Sequence, residues 1–241
     1  VICEPRYEAA GGTRVNMNKS FLPVSQKDLA ERGWKECDVI LISGDAYVDH
    51  PSYGTAVIGR VLEHAGYRVG IISQPDWREK KDFLKLGKPR LFFGISSGNL
   101  DSMVANYTAN KRPRQKDEYS PAGKTGLRPD RALIVYSNRI REIFGGVPVV
   151  LGGVEASLRR FAHYDYWDNA VRRSVMVDAR ADVLVYGMGE KAVLEIAKHF
   201  AGGGTPGNMK QIRGTVMLKK EIDKINEGVL LPSFEEAGRD H

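Results

Sequence analysis

The sequence predicts an α/β domain built on a doubly wound parallel sheet of five strands, with helices on both faces. Three observations predict it. Short unbroken apolar runs recur at residues 39–42, 69–72, 91–95, 147–151 and 183–186. Apolar residues at helical spacing lie between them, from Ala56 to Ala65, at Met103, Val104 and Tyr107, and from Val193 to Ala197. Glycine or small polar residues close the runs, as at Gly44-Asp45, Ser96-Ser97-Gly98, Gly152-Gly153 and Gly187. A continuous apolar run suits a strand buried on both faces. Strands alternating with helices imply right-handed crossovers and a parallel sheet. Five strands joined in this way give a flavodoxin-like fold in the order 2-1-3-4-5, whose ligands bind beyond the carboxyl ends of the strands near the switch point.

Each segment has its reason. Residues 1–37 read as an irregular N-terminal extension that ends in a helix start, where Ser25 caps and Asp28 sits at capping-box distance. Residues 38–204 carry the strand–helix alternation, with Gly66 placed to end the helix that follows the first strand. Residues 110–130 interrupt it with a Lys-, Arg-, Pro- and Gly-rich stretch, a long loop of the kind that is functional or disordered. Residues 205–241 read as a small hairpin, with 215–218 as one of its strands, followed by a linker.

Composition bounds the class. With 42% hydrophobic and 27% charged residues in 241, the chain has the balance of a globular domain large enough to need no staples. The two cysteines, Cys3 and Cys37, have no zinc or cluster spacing and fit a reducing compartment. There is no run of 18 apolar residues and no signal peptide, so a soluble cytoplasmic protein with no membrane partner is expected. A net charge of +6 allows an acidic partner without demanding one. Val1 at one end and the apolar-then-acidic residues 230–236 at the other read as cuts from a longer protein.

The strand ends supply the candidate site residues. Asp45, Asp49, His50 and Gly54 follow the first strand; an imidazole beside a carboxylate suits a metal ligand or proton donor, and equally a helix cap with a packed histidine. Ser96 follows the third strand, and Gly152, Gly153 and Glu155 follow the fourth, where paired glycines admit a ligand or simply turn the chain. Gly187, Gly189 and Glu190 follow the fifth. The pattern at 187–192 formally matches GxGxxA, but it lies in the last βα turn with no acidic residue about 20 positions on, so NAD is rejected. Gly123-Lys124-Thr125 is no P-loop, because Glu118 stands where its first glycine belongs. No catalytic triad stands out. A basic RNA- or nucleotide-binding module is the competing reading, using Arg112, Arg114, Lys124 and Arg128 of the 110–130 loop with the Arg–aromatic stretch 159–167 and Arg172-Arg173.

Two strings go further. Residues 44–54, with Gln74-Pro75-Asp76-Trp77, resemble the start of the YgiQ family of radical SAM proteins. Residues 152–160, followed by His163-Tyr164-Asp165-Tyr166-Trp167, are similar to that family's second hallmark, and 106–110 and 128–131 agree. The resemblance covers Phe21 to Glu236. It implies an N-terminal α/β domain resembling cobalamin-binding domains, ahead of a radical SAM barrel that holds a [4Fe–4S] cluster on CxxxCxxC and cleaves S-adenosylmethionine. This chain has no CxxxCxxC, so no catalytic residue is expected in it, and the downstream barrel is its expected partner. The resemblance also raises cobalamin, whose His-ligated form uses DxHxxG; here Asp49 and His50 are adjacent and Gly54 stands one place too far. The implied role is an accessory domain that positions substrate or cofactor.

Overall fold

A computed structural model describes residues 21–219 and 229–239. Its core is a six-stranded sheet. Five strands, β1 (Val39–Ser43), β2 (Val69–Ser73), β3 (Phe92–Ser96), β4 (Val149–Leu151) and β7 (Val183–Val185), are parallel and ordered β2-β1-β3-β4-β7. That is the expected 2-1-3-4-5 arrangement. The sixth, β8 (Thr215–Met217), lies antiparallel against β7. The five-strand expectation is therefore corrected: the strand near 215 extends the main sheet instead of making a hairpin of its own. The rest of that proposed hairpin, residues 220–228, lies outside the described residues, as do residues 1–20 with Cys3.

Helices cover both faces because the strands are apolar on both. Along β1, Val39 and Leu41 pack with α2 (Gly54–His64) and α7 (Glu190–Ala201), while Ile40 and Ile42 pack with α4 (Ala132–Phe144) and α6 (Val175–Asp178). Helix α1 (Gln26–Glu31) begins on the predicted box: the Asp28 amide donates to Ser25 Oγ at 3.3 Å, and the Ser25 amide donates to the Asp28 carboxylate at 2.9 Å. Gly66 follows α2 with φ +90°, a conformation that a side chain would resist.

Two elements were not foreseen. Helix α4 bridges β3 and β4, burying Ala132, Leu133, Tyr136 and Ile140. Part of the Arg–aromatic stretch forms β5 (His163–Asp165), which pairs antiparallel with β6 (Ala170–Arg172) just beyond it. The remaining helices are short: α3 (Ser102–Asn106), α5 (Gly153–Leu158) and α8 (Phe234–Ala237).

Tyr136 sets a stability test within this core. Its ring is fully buried, its hydroxyl has no hydrogen-bond partner, and burial pushes the phenol well above its usual range. An unmade buried hydrogen bond costs about 1–3 kcal/mol. Tyr136→Phe should therefore keep or raise stability, by about 1 kcal/mol. A loss of that size in urea unfolding would show that the hydroxyl is bonded after all.

Candidate functional site

The carboxyl ends of β1, β3, β4 and β7 open into a crevice of about 390 Å³ between the sheet and helices α2 and α7. Its floor is apolar, with Leu41, Phe92, Ile95, Val150, Leu151 and Val185, and its walls are Val57, Ile58 and Val193. Polar atoms gather at the mouth. Of the residues expected at a site, Gly54, Ser96, Gly152, Gly153, Gly187, Gly189 and Glu190 all line this crevice. Asn99, which closes the small polar string after β3, joins them: its side-chain amide donates to Ser52 O at 3.1 Å and accepts from the Gly54 amide at 3.4 Å, pinning the turn before α2 to the end of β3.

Asp45, Asp49, His50 and Glu155 lie elsewhere, and each is bonded within the protein. Asp45 is buried; it receives Arg128 Nη2 at 2.5 Å and the Asn99 amide at 2.6 Å. Burial raises its carboxyl, against the pull of those donors. Gly98 permits this contact, since at φ +109° a Cβ there would overlap the Asp45 carboxylate. Arg128, also buried, donates to Ser97 O at 3.0 Å and to Asp117 at 2.9 Å, and Asp117 in turn accepts from Ser120 Oγ at 2.8 Å. The basic 110–130 stretch is thus fastened to the sheet by an internal ion triad.

Glu155 is fully buried and accepts the Ser102 amide at 2.8 Å and the Leu133 amide at 3.4 Å, capping α3 and α4 together. Burial, then the neighbouring Asp101, raises its carboxyl. Asp49 pairs with Arg60, which also holds Glu63. His50 Nδ1 accepts the Ser52 amide at 3.1 Å.

These contacts bear on the implied cofactors. A metal-ligating histidine leans on a carboxylate or carbonyl that accepts its second ring N–H. Asp49 is engaged by Arg60, and the His50 Nδ1 is an acceptor, so the carboxylate-backed imidazole of a His-ligated cobalt cofactor is not assembled. Cys37 is buried, and desolvation pushes its thiol up to about 12, the opposite of what a cluster ligand needs. Among the described residues no group of three or more His, Cys, Asp or Glu is placed to hold a metal ion. No helix of theirs is long and apolar enough to cross a membrane.

The cationic stretches are neutralised in part. Arg159 pairs with Asp101 at 2.8 Å, Arg131 with Asp165 and Asp168 at 3.0 and 2.6 Å, Arg172 with Asp168 at 2.7 Å, and Arg173 with Asp178 at 2.7 Å. Lys111 lies 4.6 Å over the Tyr166 ring, and Arg114 donates to Val104 O. Arg112 and Lys124 stay exposed. A second cavity, of about 400 Å³, lies between this loop and Trp77, and beside it Asp130 accepts from Asn106 at 2.8 Å and from Tyr107 at 2.7 Å.

A doubly wound α/β domain with its open crevice at the strand ends is the class that this geometry defines. Within that class the chain belongs to the radical SAM N-terminal family, which it matches over residues 21–241. It is 58% identical over 216 residues to a UPF0313 protein of Thermotoga neapolitana, covering 90% of this chain and 38% of that one. A UPF0313 protein of Clostridium botulinum (strain Kyoto / Type A2) is 54% identical over 219 residues, covering 91% and 34%. The chain therefore spans little more than a third of the length of the curated relatives it matches. No solved structure matches it.

Proposed function

We propose that this domain is the accessory part of a radical SAM enzyme, holding a substrate or other small ligand at its strand ends against the rest of the protein. The iron–sulfur cluster and S-adenosylmethionine implied by the family belong, on this reading, to the remaining length, and this domain orients a ligand and excludes water. One observation carries the reading: exposed apolar side chains stand among the polar atoms at the crevice mouth and on the elements beside it. Met188, 90% exposed, and Val154 stand at the mouth itself. Exposed Leu158 stands on α5, and Arg160 lies over the half-exposed rings of Phe161 and Tyr186, at 4.9 and 5.0 Å. Exposed apolar side chains gathered beside an open crevice mark an interaction face. Helix α8, the last described element, lies against β6 of the hairpin that follows α5.

The test needs only the full-length protein. Peroxide oxidises exposed methionines to sulfoxide far faster than buried ones. If the remaining length covers this face, Met188 should react as slowly as the buried Met103 and Met176. Rapid, selective oxidation of Met188 would leave the face open to solvent and refute the docking.

A further inference from the structure

We infer that the strand-end crevice takes a small amphipathic cation, with an apolar body between α2 and α7 and a cationic head against Glu190. The inference deepens the ligand-holding reading above by assigning a chemical class to the ligand. The space, about 390 Å³, falls within the range of about 300–1,000 Å³ typical of small-molecule sites. Its deep part offers a ligand almost only hydrocarbon, so the body that fills it is apolar.

The charges around it decide the head. Among the described residues that line the crevice there is no Lys, Arg or His, and Glu190 is the single carboxylate. Glu190 is half-buried and lies in the first turn of α7, where the positive end of the helix favours a charged carboxylate. Among the described residues no hydrogen bond or ion pair ties it to another side chain, unlike Asp45, Asp49 and Glu155, which are all bonded. A ligand that closes the mouth removes water from this carboxylate, and only a donor restores what is lost. A cation does so best, a neutral donor less well, and an anion meets the repulsion of Glu190 with no Lys, Arg or His among the described residues lining the crevice.

Three probes of one shape but different charge separate these cases: tryptamine, tryptophol and indole-3-acetate, titrated calorimetrically into the full-length protein. Tryptamine should bind tightest and tryptophol about tenfold more weakly, the order of one hydrogen bond to a charged group. Indole-3-acetate should bind least. Glu190→Gln should bring tryptamine down to tryptophol's affinity and leave tryptophol unchanged. Gly152→Val supplies the positional control. Residue 152 is extended, with φ −156°, and a Cβ there meets nothing within 4 Å, so valine fits the backbone while filling space at the crevice. It should weaken all three probes. Equal binding of tryptamine and indole-3-acetate, tryptamine affinity untouched by Glu190→Gln, or no binding by any probe would each overturn the assignment, as would a Gly152→Val variant that binds them unchanged. Protection of Met188 depends on none of these outcomes, so failure of the ligand class and failure of the docking are read separately.

Discussion

Arg128→Ala should cost the domain about 3–5 kcal/mol of stability, the range for breaking one partner out of a buried ion pair. The guanidinium is 1% exposed and holds Asp45 and Asp117, themselves almost as buried, together with the Ser97 carbonyl. Deleting it leaves two buried carboxylates with no countercharge, held only by neutral donors such as the Asn99 amide and the Ser120 hydroxyl, and strands the Ser97 carbonyl. Lysine should rescue little, because an ammonium cannot span two carboxylates in the fork geometry that arginine presents. The pair is not a large net stabiliser in itself, since desolvating the three charges consumes most of what they gain. Combining Arg128→Met with Asp45→Asn and Asp117→Asn should therefore recover much of the loss. Urea unfolding reads both values. A single-mutant loss below about 1 kcal/mol, the level of an exposed pair, would show that the triad is wet. In the Ala variant, protease should cut first within 110–130, the segment that Arg128 fastens to the sheet.

The triad also marks how far the sequence was legible. Strands buried on both faces write themselves as unbroken apolar runs, so the five parallel strands and their order could be read from residues 39–42, 69–72, 91–95, 147–151 and 183–186. The capping box of α1 is local, three residues apart, and was legible for the same reason. Helix α4 lacks a local cap, although Ala132, Leu133, Tyr136 and Ile140 stand at helical spacing. It is preceded by Arg131 in a left-handed conformation, and its first amides are capped from afar, Ala132 by Ser102 Oγ and Leu133 by Glu155. The site divides along the same line. Glycines at strand ends line the crevice because position in the fold puts them there. The carboxylates Asp45, Asp49 and Glu155 looked like ligands because their partners are distant in sequence; Arg128 lies 83 residues from Asp45. Much of what made the strings at 44–54, 106–110, 128–131 and 152–167 stand out is thus the pairing of these loops with one another. Asp45 meets Arg128, Asp130 meets Tyr107, and Asp165 meets Arg131.

Glu155 offers the second large effect and one with a distinctive pH signature. Glu155→Ala removes the acceptor for the Ser102 amide and for the weaker Leu133 contact at the starts of α3 and α4. At about 1–3 kcal/mol for each buried donor left unmet, a loss of about 3 kcal/mol is expected. Burial also raises this carboxyl in the folded state above its ordinary 4.5. Between 4.5 and the raised value the folded protein binds more protons at this group than the unfolded chain does, so its contribution to stability falls as pH climbs through that window. Glu155→Gln keeps one acceptor oxygen and has no proton to lose. The difference in stability between wild type and Glu155→Gln should therefore shift against the wild type as pH rises above 4.5 and flatten once the folded carboxyl is ionised. Unfolding of both proteins at a series of pH values measures that difference directly. A difference that moves the other way would mean that the amides of α3 and α4 hold the carboxylate charged more strongly than burial opposes it. Glu155 would then be an anionic helix clamp rather than a carboxyl kept partly protonated by its surroundings.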